Sequence, residues 1–321
     1  MKVVYYLFVA GCYLLSPLPL RVHYLISDIV FVLMYYVIRY RRRVVWKNLT
    51  SSFPEKDEAE LRRIERRFYR FLGDYFVETL KLLSFSHEEM KRRVVFKNIE
   101  VINEVLESGQ SCALYLGHYC NWEWISSMPL WVTPAAECGQ IYHPLENKDF
   151  DRFFYKLRGR MGAHTIPMSD TLRRLLEFRQ RKQPVVVGYI SDQVPLWFNI
   201  HHWVDVLNHD TPVLTGAERI ARKLNHAVFY LDVRRVKRGY YEATLKLITR
   251  DPSQSKEYEL TDIYWQMLEE SIRRAPEYWL WSHNRWKRTR EEFNRRFEVV
   301  NGKVMPKGAA GSESSAPCTA E

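Results

Sequence analysis

The first forty residues constrain this chain more than any other stretch. Residues 3–40 are almost wholly apolar and aromatic, broken by Ser16-Pro17-Leu18-Pro19 and punctuated by Arg21, His23 and Asp28. A helix that crosses a bilayer needs about 20 consecutive apolar residues, and neither half offers an unbroken run of that length. Proline removes a backbone donor and ends a helix, so one helix is predicted to about residue 15 and a second over residues 20–40. The pair fits one tilted span beside an interfacial helix, or a helical hairpin dipping into one leaflet. A cleaved signal peptide fits poorly, because only Lys2 precedes the apolar run and no small-x-small cleavage site follows it. A buried hairpin in a soluble protein is the competing reading.

Arg39, Arg41, Arg42, Arg43 and Lys47 come directly after this segment. Cationic residues on that flank predict that it, with everything downstream, faces the cytoplasm. The net charge of +10 calls for an anionic partner: nucleic acid, lipid headgroups or an acidic carrier protein. The position of the basic cluster, beside the apolar stretch, favours a membrane surface over nucleic acid. The five cysteines, Cys12, Cys112, Cys120, Cys138 and Cys318, have neither CxxC spacing nor a regular framework, so they read as reduced thiols.

Downstream, Asp57 followed by Glu60 looks like a capping box opening a long helix. Leu61, Ile64, Phe68, Leu72, Tyr75, Thr79 and Leu82 step along one face of it, with arginines on the others. Helices are then expected at residues 99–106, from 121, at 171–181, 212–224 and 261–275. Strands are expected at 112–116 and 185–190, and residues 227–233 and 240–248 should pair as a hairpin across Arg238-Gly239. Such alternation predicts an α/β fold, a mostly parallel mixed sheet flanked by helices, with N-terminal membrane-associated helices. The expected divisions are anchoring helices at 1–40, an α/β domain at 41–305 and a Gly-, Ala- and Ser-rich disordered tail at 306–321.

His118 lies just past the apolar strand at 112–116, at the carboxyl end of a strand, the edge where open α/β sheets build their sites. Glu123 follows five positions on; a helix starting near Asn121 would let its carboxylate fold back and orient the imidazole. Histidine accepts a hydroxyl proton near neutral pH, a contribution of about 10² to 10⁴ in rate. A histidine paired for purely structural reasons is the plainer alternative. His201, His202, Asp205 and His209 fit no strong zinc signature and sit in what looks like a polar and aromatic hairpin, so no metal is expected. There is no GxSxG elbow, no GxxxxGK[ST] loop and no GxGxxG turn.

The HxxxxE element, Ser191-Asp192-Gln193 after the second strand, Arg43-Val44-Val45-Trp46-Lys47-Asn48-Leu49 with Phe53-Pro54, Arg158 and Gly162, Thr215-Gly216 with Arg219, and residues 276–287 with Trp279, Trp281, His283, Arg285 and Trp286 together resemble the lysophospholipid acyltransferase superfamily. Within it the chain resembles the bacterial lipid A late acyltransferases, the lauroyl and myristoyl transferases. Glu123 where the glycerol-phosphate branch usually has Asp, and the lack of a Phe-Pro-Glu-Gly segment, favour that branch. The resemblance implies an inner-membrane enzyme, with its catalytic domain on the cytoplasmic face and no cofactor. Such an enzyme takes acyl chains from acyl carrier protein and esterifies a hydroxyl of a lipid A precursor-like membrane lipid. It implies His118 as base and Glu123 as its partner, with Arg158 as a cation near a phosphorylated acceptor or the developing oxyanion. Asp192, Gln193, Asn121 and Arg219 are further substrate-site candidates. Other acceptors fitting the same motifs are lysophospholipids and aminolipids, with acyl-CoA as an alternative donor; an idle membrane-binding scaffold is the non-enzymatic reading.

Overall fold

The computed structural model describes residues 2–307, and side chains from Tyr5 onward. Helix α1 (Lys2–Leu15) ends at the Ser-Pro-Leu-Pro break, and α2 (Leu20–Val32) runs on into a π-turn, Leu33–Val37. Leu20–Val37 is the one stretch among the described residues long and apolar enough to cross a membrane, with a mean hydropathy of 1.4 and 28% of it buried. At 1.5 Å per residue its length is about 27 Å, close to the roughly 30 Å hydrocarbon core of a bilayer. The outward faces of both helices carry bare apolar side chains, among them Leu7, Leu14, Leu25, Ile29, Val37 and Ile38.

Helix α3 (Arg42–Ser52) carries the basic flank, and α4 (Glu58–Lys81) is the long helix expected from its apolar stripe. The Asp57 side chain accepts from the Glu60 N–H at 2.7 Å, but Glu60 turns its own carboxylate to Lys56, so only half of the capping box forms. Leu61, Ile64, Phe68 and Leu72 are buried while Arg63, Arg66, Arg67 and Arg70 are exposed, giving the division of faces that the periodicity predicts.

After α5 (His87–Arg93) the chain enters the sheet: β1 (Val94–Lys97), α6 (Ile99–Glu107), β2 (Cys112–Leu116), β3 (Glu137–Tyr142), α7 (Lys148–Gly159), β4 (His164–Pro167), α8 (Thr171–Gln180) and β5 (Val185–Ile190). A two-stranded excursion, β6 (His202–Val206) and β7 (His209–Val213), precedes α9 (Gly216–Leu224). The hairpin β8 (Ala227–Lys237) and β9 (Tyr240–Thr249) follows, then α10 (Glu259–Arg274), α11 (Arg290–Arg296), β10 (Phe297–Val300) and β11 (Lys303–Pro306).

Seven strands form one mixed sheet in the order β1-β9-β8-β2-β5-β3-β4. Every neighbouring pair is parallel except the β8–β9 hairpin. That hairpin turns through Arg238-Gly239, where Gly239 has a φ of +74° that a side chain would strain. All five residues of β2 are buried, as expected of a central parallel strand.

The strands at 112–116 and 185–190 match expectation residue for residue. The helix expected at 212–224 starts only at Gly216, because Pro212 pairs with Trp203 in the β6–β7 hairpin. No α-helix follows Asn121; a 3₁₀ helix, Trp124–Leu130, containing Pro129, stands there instead. The domain expected to end at residue 305 closes with the hairpin β10–β11, whose Phe297 and Val304 join Ile200 and Phe293 in a small second core. From residue 308 the predicted disordered tail, with Cys318, lies outside the described residues. Cys12, Cys112, Cys120 and Cys138 are buried free thiols.

Candidate active site

Parallel pairing sets Leu116 of β2 beside Ile190 of β5. Two residues beyond that pair on each strand stand His118 and Asp192, at the same height on the carboxyl edge of the sheet. The His118 Nδ1 and Asp192 Oδ1 are 2.5 Å apart, and the His118 backbone N–H donates to Asp192 Oδ2 at 2.8 Å. The Trp279 indole N–H donates to the same Oδ2 at 2.8 Å. The close fit requires Gly117, where an added Cβ would come within 2.7 Å of the Leu268 side chain and 3.2 Å of Asp192 Oδ2.

Burial pushes the Asp192 carboxyl up, but the facing His118 and the hydrogen bonds from its ring, from Trp279 and from the His118 backbone outweigh that, holding it below the usual carboxylate range. An ionised Asp192 accepts only, so the imidazole proton resides on Nδ1 and the lone pair on Nε2. Gln193 Nε2 lies 3.3 Å from that Nε2, and Trp122 meets the ring edge-on with centroids 5.0 Å apart. The His118 side chain keeps 17% of its surface exposed while Asp192 keeps 2%, so the dyad is sealed on one side and open at the imidazole.

Glu123 is not the partner of this imidazole. Its carboxylate takes two hydrogen bonds from Arg158, Nε to Oε2 at 2.9 Å and Nη2 to Oε1 at 2.6 Å, and a third from the Tyr75 hydroxyl at 3.4 Å. The backbone explains the change: without a helix from Asn121 the chain turns through Cys120 at a φ of +55°, and Glu123 comes to face α7, near whose end Arg158 stands. Arg158 uses the paired geometry that suits a guanidinium to a carboxylate, and among the described residues nothing bonds its Nη1.

Asn121 does not face the opening. It is 1% exposed, donates to Glu78 Oε2 at 2.7 Å and accepts from the Trp124 N–H at 3.1 Å, so it holds the turn. Arg219 is exposed on α9, beside a shallow cavity lined by Arg222, Lys223 and Ser253, and none of the residues around His118 lines that cavity. His283 accepts from the Val194 N–H at 3.2 Å, bracing the segment after Gln193; burial and then Arg285 push its imidazole down to about 4. His202 bonds Asp262, and His209 stacks on Trp286. The Cys120 thiol is fully buried and burial pushes its pKa up, so it supplies no nucleophilic thiolate.

The sequence profile described as bacterial lipid A biosynthesis acyltransferase matches residues 1–288. The chain belongs to that family. Its membership makes this an acyltransferase of the lipid A biosynthesis type, as the motifs around His118 imply. No curated protein matches the acyltransferase closely enough to be compared with it. Three residues of its site escaped the sequence reading: Tyr75, Trp122 and, as a donor to Asp192, Trp279. Tyr75 looked like one more position of the apolar stripe of α4, and nothing in its spacing distinguishes a hydroxyl that faces Glu123.

Proposed function

We propose that the acyltransferase moves a fatty acyl chain from the thioester of acyl carrier protein to a hydroxyl of a lipid A precursor-like membrane lipid, with His118 as general base. The observation that carries this reading is the buried Asp192 on His118 Nδ1, which leaves a basic Nε2 directed to the exposed side of the ring. The acceptor hydroxyl gives its proton to Nε2 as its oxygen attacks the thioester carbonyl. The imidazolium that forms is stabilised by Asp192, whose ionised state its hydrogen bonds already favour. The tetrahedral intermediate collapses with cleavage of the carbon–sulfur bond, and the departing sulfur takes the proton back from Nε2. No covalent acyl-enzyme is required, because both substrates held together supply the proximity.

Asp192, not Glu123, is the orienting carboxylate in this scheme. Glu123 fixes Arg158, whose unengaged Nη1 is the cation for an acceptor phosphate or the developing oxyanion. Gln193 lies against Nε2 and yields that position to the acceptor hydroxyl. The bare apolar faces of α1 and α2 fit a membrane surface, and the basic residues after them fit an inner-membrane enzyme whose catalytic domain is cytoplasmic. The surplus of cationic residues favours an acidic carrier as donor.

The test is a transfer assay with purified protein, a labelled acyl chain on acyl carrier protein or on coenzyme A, and defined acceptors: a lipid A precursor, lysophospholipids and an aminolipid. Ester product on the lipid A precursor, formed faster from the carrier protein, is expected. Product confined to another acceptor would replace the acceptor assignment, and preference for coenzyme A would replace the donor.

A further inference from the structure

Glu78 on α4 is fully buried and is shared by four elements. Its Oε1 accepts from the Tyr24 hydroxyl of α2 at 2.9 Å. Its Oε2 accepts from Asn121, in the turn between His118 and Glu123, at 2.7 Å, and from the Tyr241 hydroxyl of β9 at 2.7 Å. Its backbone carbonyl accepts from the Trp124 indole at 2.9 Å. One turn earlier on α4, Tyr75 lies against Trp122 with ring centroids 4.2 Å apart and reaches Glu123. Trp122 in turn is the ring that meets His118 edge-on. The turn that follows the proton-transfer group therefore rests on α4 through contacts from four consecutive residues, Asn121 to Trp124.

The same stretch of α4 is clamped to the apolar helix α2. The Ser27 hydroxyl donates to Asp74 at 2.6 Å, and Arg238 bridges Asp28 of α2 at 2.8 Å and Asp74 at 2.5 Å. The two backbones approach so closely at Gly73 that an added Cβ would lie 2.9 Å from the Ser27 carbonyl oxygen. Lys81, one turn past Glu78, donates to the carbonyls of Ser16, Pro17 and Leu18 in the break between the apolar helices. An apolar helix that served only as a tether would have no need of hydroxyl contacts to buried carboxylates, beside a surface ion pair, at this density, because each polar group taken from water must be repaid by a partner.

Resting on the reading of His118 as the base, we propose that Glu78 is a positioning residue and that, through Tyr24, the apolar helix α2 is part of the catalytic apparatus rather than a detachable anchor. Seating of α2 fixes α4, and α4 fixes the turn at 121–124 and with it the imidazole. A displacement of an ångström at a reacting group is enough to cost about 10²-fold in rate. The effect belongs in kcat, since neither Glu78 nor Tyr24 touches a substrate.

The experiment is a variant cycle on full-length protein, measured with the transfer assay and with binding to phosphatidylglycerol and phosphatidylethanolamine vesicles. Asn121→Asp sets a carboxylate against Glu78 and is expected to lower kcat about 10²-fold with KM little changed. Adding Glu78→Gln supplies a donor to that new carboxylate and is expected to restore at least ten-fold of the loss, a rescue that general destabilisation would not give. Tyr24→Phe, which keeps the apolar surface, is expected to lower kcat several-fold while vesicle binding stays at the wild-type level. Failure of the double variant to recover activity overturns the Glu78 role, and an unaltered kcat in Tyr24→Phe overturns the link to α2. Should Asn121→Asp not fold, Tyr24→Phe alone decides the link. A wild-type protein that transfers no acyl group would count against the acyltransfer scheme itself, a result separate from either of these.

Discussion

Replacing Asp192 by asparagine tests the dyad at a single atom. Oδ2 receives two N–H donors, from the His118 backbone and from Trp279, each at 2.8 Å. The oxygen of an asparagine must stay there, because its NH₂ would face two donors. The NH₂ is then presented to His118 Nδ1, which must accept, so the ring proton moves to Nε2 and the base is lost to the wrong tautomer. With the contribution of a positioned base at about 10² to 10⁴, and a comparable tautomer error in a serine protease costing about 10⁴, the expected fall in kcat is about 10³ to 10⁴ with KM within a few-fold. The assay is steady-state transfer of a labelled acyl chain, alongside thermal unfolding to show that the variant folds. A kcat within three-fold of wild type would refute the reasoning, since no route would remain by which Nε2 accepts a proton.

Further outcomes follow from the same geometry. Arg158→Ala leaves the Glu123 carboxylate buried with only a long contact to Tyr75, and should cost about 3–5 kcal/mol in denaturant unfolding. Trp279→Phe removes one donor from an ionised carboxylate and should lower stability by about 1–3 kcal/mol, read in the same way. His226 is held down to about 4 by burial and then by Arg179, against an ordinary value of 6.5. The unfolded chain therefore binds a proton that the folded chain refuses, so stability should fall as pH drops from 6.5 towards 4. Denaturation midpoints across that window should flatten in His226→Gln, and an unchanged slope would contradict the assignment. For Asp192 the sign is opposite in origin: its folded value lies below 3.8, so its contribution is complete above that pH and is lost as pH falls further.

The central strands were legible because β2 and β5 are buried on both faces and read as short continuous apolar runs closed by turn residues. The last two strands on the β4 side of the sheet were not. His164-Thr165-Ile166-Pro167 is four residues long with a proline at its end, and Glu137–Tyr142 mixes glycine and polar residues, so neither offers a period to count. The site divided along the same line. His118 could be placed because its signal is local: a glycine and a histidine at the end of an apolar strand. Its partner could not, because Asp192 is 74 positions away and meets it only through the register of two strands that the sequence does not pair explicitly. Spacing pointed instead to Glu123, the nearest carboxylate along the chain, and the backbone turn at Cys120 directs that side chain to Arg158. Asp192 was named as a site residue only through resemblance, and the parallel register of β2 and β5 supplies its physical reason.

The most direct test of the base is to replace it. His118→Ala removes the imidazole while Asp192 keeps its donors from Trp279 and the residue 118 backbone, so the protein should fold and still bind vesicles. Transfer of the acyl chain in a single turnover, with both substrates bound, should fall by at least about 10². Single-turnover transfer at the wild-type rate would contradict the account.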